Sequence, residues 1–175
     1  MSSGRPAFDE YAAYAHTDIC MVEGDDIAES LKRQIERTLA ILQGVPEDFA
    51  TTYRYAPDKW TIKEIVGHLS DDERIFSYRL LCVARNDLRD LSRFDEKHYA
   101  TYGAFNARSY VNLLVELQAV RRSTIALIEG LPLAAWDRRS MVNGYSATAR
   151  GLAFHIAGHE LHHLRIIESK YLVRS

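Results

Sequence analysis

Hydrophobic residues recur along this chain at the three- and four-residue spacing of amphipathic helices, in four long stretches separated by polar breaks. In the first stretch Ile27, Leu31, Ile35, Leu39 and Leu42 share one stripe, which predicts a helix from Asp25 or Asp26 to Gln43. Aspartates at its start favour the unpaired amides of a first turn, and Gly44 and Pro46 stop it. The second stretch follows Trp60. Thr61-Ile-Lys-Glu64 has the form of a capping box, and Ile65, Leu69, Phe76, Leu80 and Val83 carry the stripe to about Asn86. The third runs from roughly Asn106 to Glu129, with Leu113, Leu114, Leu117, Val120, Ile125 and Ile128 inward and Gly130 and Pro132 at its end. The fourth starts near Ser146 and reaches about Leu172. Its broad stripe holds Leu152, His155, Ile156, His159, His163, Ile166 and Ile167. Gly151 and Gly158 each weaken this helix by about 1 kcal/mol relative to alanine and would let another helix approach closely.

The connections are mostly short. Residues 87 to about 105 are the exception, a charged and aromatic link containing Phe94-Asp95-Glu96-Lys97-His98-Tyr99, with room for a short helix. Links of this length in a compact domain often cover something or carry function. Asp137 to Tyr145 reads as a polar loop with an Asn143-Gly144 turn. Residues 1–24 look irregular, and their tyrosines Tyr11 and Tyr14 suggest an N-terminal extension packed across a single domain of residues 25–175. No segment alternates as a strand should. The prediction is an all-α fold, a four-helix bundle, whose long link permits either an antiparallel neighbour or a crossover.

Composition narrows the partners. The chain has 175 residues, 47% of them hydrophobic, and a net charge of −2 with its histidines neutral. A main partner of nucleic acid or anionic membrane would reward a concentrated basic surface, whereas these arginines are mixed with acids. No stretch is apolar enough to cross a bilayer, and the N-terminus lacks the apolar run of a secretory leader. The two cysteines, Cys20 and Cys82, form no framework, which points to a reducing cytoplasm. Cys82 falls in an apolar helical segment and reads as a core residue.

Candidate chemistry lies in the last helix. Four of the seven histidines occur in His155-Ile-Ala-Gly-His159-Glu-Leu-His162-His163. His159 and His163, four residues apart, project from one face of a helix and can grip one divalent cation. Burying several imidazoles without a metal leaves ring nitrogens in need of partners, and a divalent metal resolves that. His155 lies on the same stripe and competes for the site. His162 turns away, and His16 and His98 have no supporting pattern. His68, on the flank of the second helix, is the best third ligand, because facing helices lie about 8–10 Å apart. Asp72, one turn on, is a partner of a ligand histidine, a further ligand, or half of a surface ion pair. His159-Glu160-Leu-His-His163 also matches the His-Glu-x-x-His zinc protease pattern, in which Glu160 would be the general base. With so little chain after His163 and no strand edge to hold a peptide, the protease reading ranks low, and Glu160 reads as an ordinary polar helix residue.

Trp60-Thr-Ile-Lys-Glu-Ile-Val-Gly-His68-Leu-Ser-Asp-Asp-Glu73 resembles the second-helix signature of the DinB/YfiT-like metalloenzyme family, and the His155–Ile167 phrase resembles its final-helix signature. The likeness covers roughly residues 25–172. It implies a four-helix bundle, usually dimeric, with one metal ion per chain, nickel or zinc in relatives, on His68, His159 and His163. It also implies a small-molecule substrate. Characterised relatives include transferases that join a low-molecular-weight thiol to an electrophile, which makes thiol-dependent transfer the first expectation. A metal-dependent hydrolase and a non-catalytic binding bundle are the alternatives. Many relatives read Arg-Gly-Gln after the final histidine pair; here the residues are Leu164-Arg165-Ile166, which bears on substrate and leaves the ligand positions intact.

Overall fold

The computed structural model describes residues 4–173; the first three residues and the last two lie outside the described part. Its frame is four long helices: α2 (Ile27–Leu42), α4 (Ile62–Ala84), α6 (Tyr110–Glu129) and α7 (Ala149–Ile166). Shorter helices attach to it: α1 (His16–Cys20), α3 (Glu47–Thr52) and α5 (Glu96–Tyr102). Each long helix begins on a side chain that satisfies an early amide: Asp26 on Glu29, Thr61 on Glu64, Ser109 on Asn112 and Thr148 on Gly151. The predicted capping box is formed, with Thr61 N donating to Glu64 Oε2 at 2.7 Å.

Contacts between helices define the topology. α2 and α4 both pack against α6 and α7, so they sit on opposite corners. Lys63 reaches Arg108 O at 2.7 Å and Ser77 Oγ meets Thr124 Oγ1 at 2.7 Å, so α4 and α6 run parallel. Arg121 lies against Leu31 while Tyr110 lies against Leu42, so α2 and α6 run antiparallel. His68 faces His163 while Phe76 faces His155, so α4 and α7 also run antiparallel. The bundle is therefore up, down, down, up. The long link is a crossover returning the chain from the end of α4 to the level of its start.

Two apolar clusters fill the interior. One gathers Leu31, Phe76, Leu80, Ile125, Leu152 and Ile156; the other gathers Leu39, Leu42, Ile62, Leu69, Leu113 and Leu117. Between them runs a buried polar layer containing Gln34, Thr38, Glu73, Arg121 and Glu160. The Arg121 guanidinium lies 2.8 Å and 2.9 Å from the two Glu73 oxygens, and it also bonds Glu160, which accepts from Thr38 and from Gln34 at 2.8 Å.

Several boundaries differ from expectation. Residues 139–148, read as a polar loop running into a helix, form an antiparallel hairpin of β1 (Arg139–Val142) and β2 (Tyr145–Thr148). Asn143 and Gly144, both at positive φ, form its turn, as a tight two-residue hairpin requires. Its strands have four residues each and bury few large side chains, so alternation carried little signal. The last helix consequently starts at Ala149, after the hairpin, and ends in a wider π turn at Ile167–Tyr171. α6 starts at Tyr110 and not near Asn106, because Phe105–Ala107 forms a separate 3-10 turn. α4 ends at Ala84, where Asn86 adopts positive φ. The irregular N-terminal stretch contains α1, which packs along α7.

Candidate metal centre

The seam between α4 and α7 holds three imidazoles. His68 Nε2 and His163 Nε2 each lie 3.2 Å from His159 Nε2. One nitrogen from each ring falls within 4.8 Å of the others. Tetrahedral ligands at about 2.0–2.1 Å from a zinc-like ion stand about 3.3–3.4 Å apart, so two of the three donor pairs have nearly the spacing of ligands on a shared cation. α1 flanks the seam on the α7 side and α5 on the α4 side.

The helices bring these rings together for local reasons. Gly67 and Gly158 immediately precede His68 and His159. A Cβ on Gly67 would lie 2.2 Å from the Phe105 ring, and one on Gly158 would lie 2.7 Å from the Asp18 carbonyl carbon. Each glycine thus admits a packed segment beside a histidine. Trp60 closes the other side, with ring centroids 4.7 Å from His68 and 6.3 Å from His163.

Burial, and then the neighbouring His159, lowers the proton affinity of His68 to a pKa of about 4. Burial and the same neighbour hold His163 well below the ordinary histidine value. Both rings are thus neutral donors. Burial also opposes charge on His159, but Asp72 outweighs it and raises the pKa, with Oδ2 3.1 Å from Nδ1. Burial would raise the Asp72 carboxyl; the histidines around it, His159 above all, hold it below the usual carboxylate value. Asp72 therefore orients His159 with Nε2 toward the other rings and is not half of a surface ion pair.

The remaining candidates separate cleanly. His155 stays outside the cluster: its ring stacks on Phe76 at 3.9 Å and meets Tyr14 edge-on. His162 bonds Asp18 of α1 at 3.1 Å. His98 is exposed on α5 against Tyr102, and Asp95 caps that helix. His16 pairs with Tyr11. Glu160 is not an ordinary polar residue. It is buried on the far side of α7 in the Arg121 pair, so the protease arrangement, which needs this carboxylate at the metal, is not formed. Arg121 is the residue that sequence reasoning passes over. Its signal is a charge four residues from both Leu117 and Ile125 on an apolar stripe.

Comparison with known proteins bears on family and fold. The DinB superfamily profile matches residues 5–167. Among solved structures the chain is similar to one described as "YfiT from Bacillus subtilis is a probable metal-dependent hydrolase with an unusual four-helix bundle topology". The two share 15% identity over 94% of this chain and 91% of that one, with a TM-score of 0.64, a likeness of fold. No curated protein matches the chain. No helix among the described residues is long and apolar enough to cross a membrane.

Proposed function

The chain belongs to the DinB superfamily, and on that premise we propose that it is a metal-dependent enzyme whose ligands are His68, His159 and His163. The observation that carries the reading is the 3.2 Å approach of both outer Nε2 atoms to that of His159. His68, His159 and His163 would hold a zinc or nickel ion, which would supply the positive charge that acidifies a thiol or a water. The chain does the rest. His68 and His163 stay neutral, Asp72 fixes the ring of His159, and Trp60 shields one side of the cluster.

The protein's own acids favour a thiol over water. Hydrolysis draws on a group that takes a proton from the attacking water. Glu160, at the sequence position for that role, is locked against Arg121 across the helix. A thiol ionises near pH 8.5 even without a cation, so it makes less demand on a base. The proposed reaction is transfer of a low-molecular-weight thiol to an electrophilic carbon: the thiol loses its proton to solvent, the thiolate sulfur forms the carbon–sulfur bond, and the bond from that carbon to the leaving group breaks, the group departing as an anion with the electron pair. The second reading, a metal-dependent hydrolase, draws on the description of the solved neighbour.

Metal analysis tests the centre. Purified protein should carry about one divalent ion per chain, and His68→Ala should lose it as fully as His159→Ala or His163→Ala. Normal metal content in His68→Ala overturns the two-helix site. Loaded protein is then offered glutathione, bacillithiol, mycothiol or coenzyme A with an electrophilic aryl dye, and separately an ester panel without thiol. Metal-dependent conjugation supports transfer. Ester cleavage alone replaces it with the hydrolase.

A further inference from the structure

A cleft of about 400 Å³ opens beside the histidine cluster, with His163 in its wall. Its sides are aromatic, built from Tyr55, Trp60 and Tyr171, and two lysines, Lys59 and Lys97, line it. Two neighbouring basic side chains are neutralised: Lys63 pairs with Glu47 at 2.9 Å and Arg54 with Glu64 at 2.8 Å. Among the described residues no carboxylate makes an ion pair with Lys59 or Lys97. Lys59 instead stands over the Tyr55 ring at 5.9 Å. Asp58 is the one acid in the lining, so the cleft is cationic before any metal charge is added.

The wall is also held in place. Arg54 donates to Lys59 O at 2.5 Å while pairing with Glu64, and Tyr171 donates to Trp60 O at 2.5 Å. The segment carrying Tyr55, Lys59 and Trp60 is thereby tied to the start of α4 and to the π turn after α7. Lys97 comes from a separate element, the crossover helix α5. Two independent elements thus bring positive charge to one aromatic slot, an arrangement suited to an amphipathic anion.

We infer that this cleft is the substrate subsite and that it selects an organic acid: a planar apolar body between Trp60 and the tyrosines, with a carboxylate or similar anion between Lys59 and Lys97. The inference deepens the proposed function and rests on it for the cleft's catalytic meaning, whereas the charge preference belongs to the cleft itself. With the anion at the lysines, the apolar body lies against Trp60, whose ring is 6.3 Å from His163.

Isothermal titration with 3-phenylpropanoate and with its neutral amide separates the contributions. The two probes share size and aromatic body and differ in charge. Wild-type protein should bind the acid about fivefold to tenfold more tightly, the expected yield of two partly exposed ion pairs. The Lys59→Gln/Lys97→Gln variant should lose that preference while keeping its metal content and its amide affinity. Running both proteins with and without zinc distinguishes the two readings. Failure of zinc to bind while the lysine-dependent preference persists would remove the metalloenzyme reading alone. Equal affinity for acid and amide would overturn the anion subsite, as would an acid preference that survives loss of both lysines.

Discussion

At the scale of single residues, the site depends on what stands beside each histidine as much as on the histidines. His68 and His159 each follow a glycine, and each glycine is filled by a neighbouring segment: Phe105 from the crossover at Gly67, the backbone of α1 at Gly158. Gly158→Ala adds a methyl where the nearest atoms are backbone, and these have no rotamer by which to retreat. Helix propensity would gain up to about 1 kcal/mol from alanine, yet overpacking costs about 1–3 kcal/mol, so we expect net loss of stability, read as a lower urea midpoint. A stabilised variant would mean that α1 does not seat there. The last helix's glycines were legible as places of close approach. What approached was not, because no local pattern records that an irregular N-terminal stretch will lie across a distant helix. The choice between His155 and its neighbours was hidden for a similar reason. Spacing puts His155, His159 and His163 on one stripe, and only the position of Phe76 on another helix takes the first of them out of the cluster.

At the scale of elements, periodicity revealed the four long helices, while their connections followed from pairings that no single segment encodes. The hairpin was lost because its short strands carry few large side chains; its Asn143-Gly144 turn was readable. The parallel course of α4 and α6 could not be read from a link that allowed either direction. Glu160 shows the same limit in its chemistry. From sequence it read as an ordinary polar helix residue, yet its carboxylate holds helices together, joining α7 to α2 through Gln34 and Thr38 and to α4 through Arg121 and Glu73. Arg121→Met should strand two buried carboxylates and cost about 3–5 kcal/mol. Adding Glu73→Gln and Glu160→Gln should restore much of that, since removing a whole buried ionic group is far cheaper than breaking one. Denaturant titration of the two variants checks the pair. A single variant within about 1 kcal/mol of the parent would show that the arginine is not the centre of the layer.

At the scale of the whole molecule, the histidine cluster lies on the seam between α4 and α7, and a cation there would staple one helix to the other. Binding to the folded state alone at a hundredfold excess over Kd stabilises by about 2.7 kcal/mol. For a chain of this size that raises Tm by roughly 5–10 °C over chelator-treated protein. The gain must depend on pH, and its sign follows from the rings. His68 and His155 have pKa values of about 4, and His163 lies well below the ordinary histidine value. The unfolded chain takes protons on these groups near pH 6.5. From about 6.5 down to about 4 the unfolded state therefore binds more protons, and the metal-free fold loses stability as pH falls. His159 acts oppositely: its raised pKa contributes stability below the ordinary value and loses it as pH rises through the folded one. Three depressed rings against one raised ring leave the metal-free protein acid-sensitive. A bound cation requires all three ligand rings to be neutral, so protons compete with it, first at His159, whose proton must leave before metal can enter. The Tm difference between zinc-loaded and metal-free protein should be largest above the raised pKa of His159, should begin to narrow as pH falls through it, and should close on the way down to about 4. Asp72→Asn should weaken zinc binding about tenfold to a hundredfold near neutrality by releasing His159 from its fixed orientation, while removing the charge that holds the competing proton. Closure in that variant should therefore begin at lower pH. Thermal melts of both proteins, loaded and chelator-treated, across the window measure this directly, and a Tm difference that does not change with pH would mean that the cation is not held by these imidazoles.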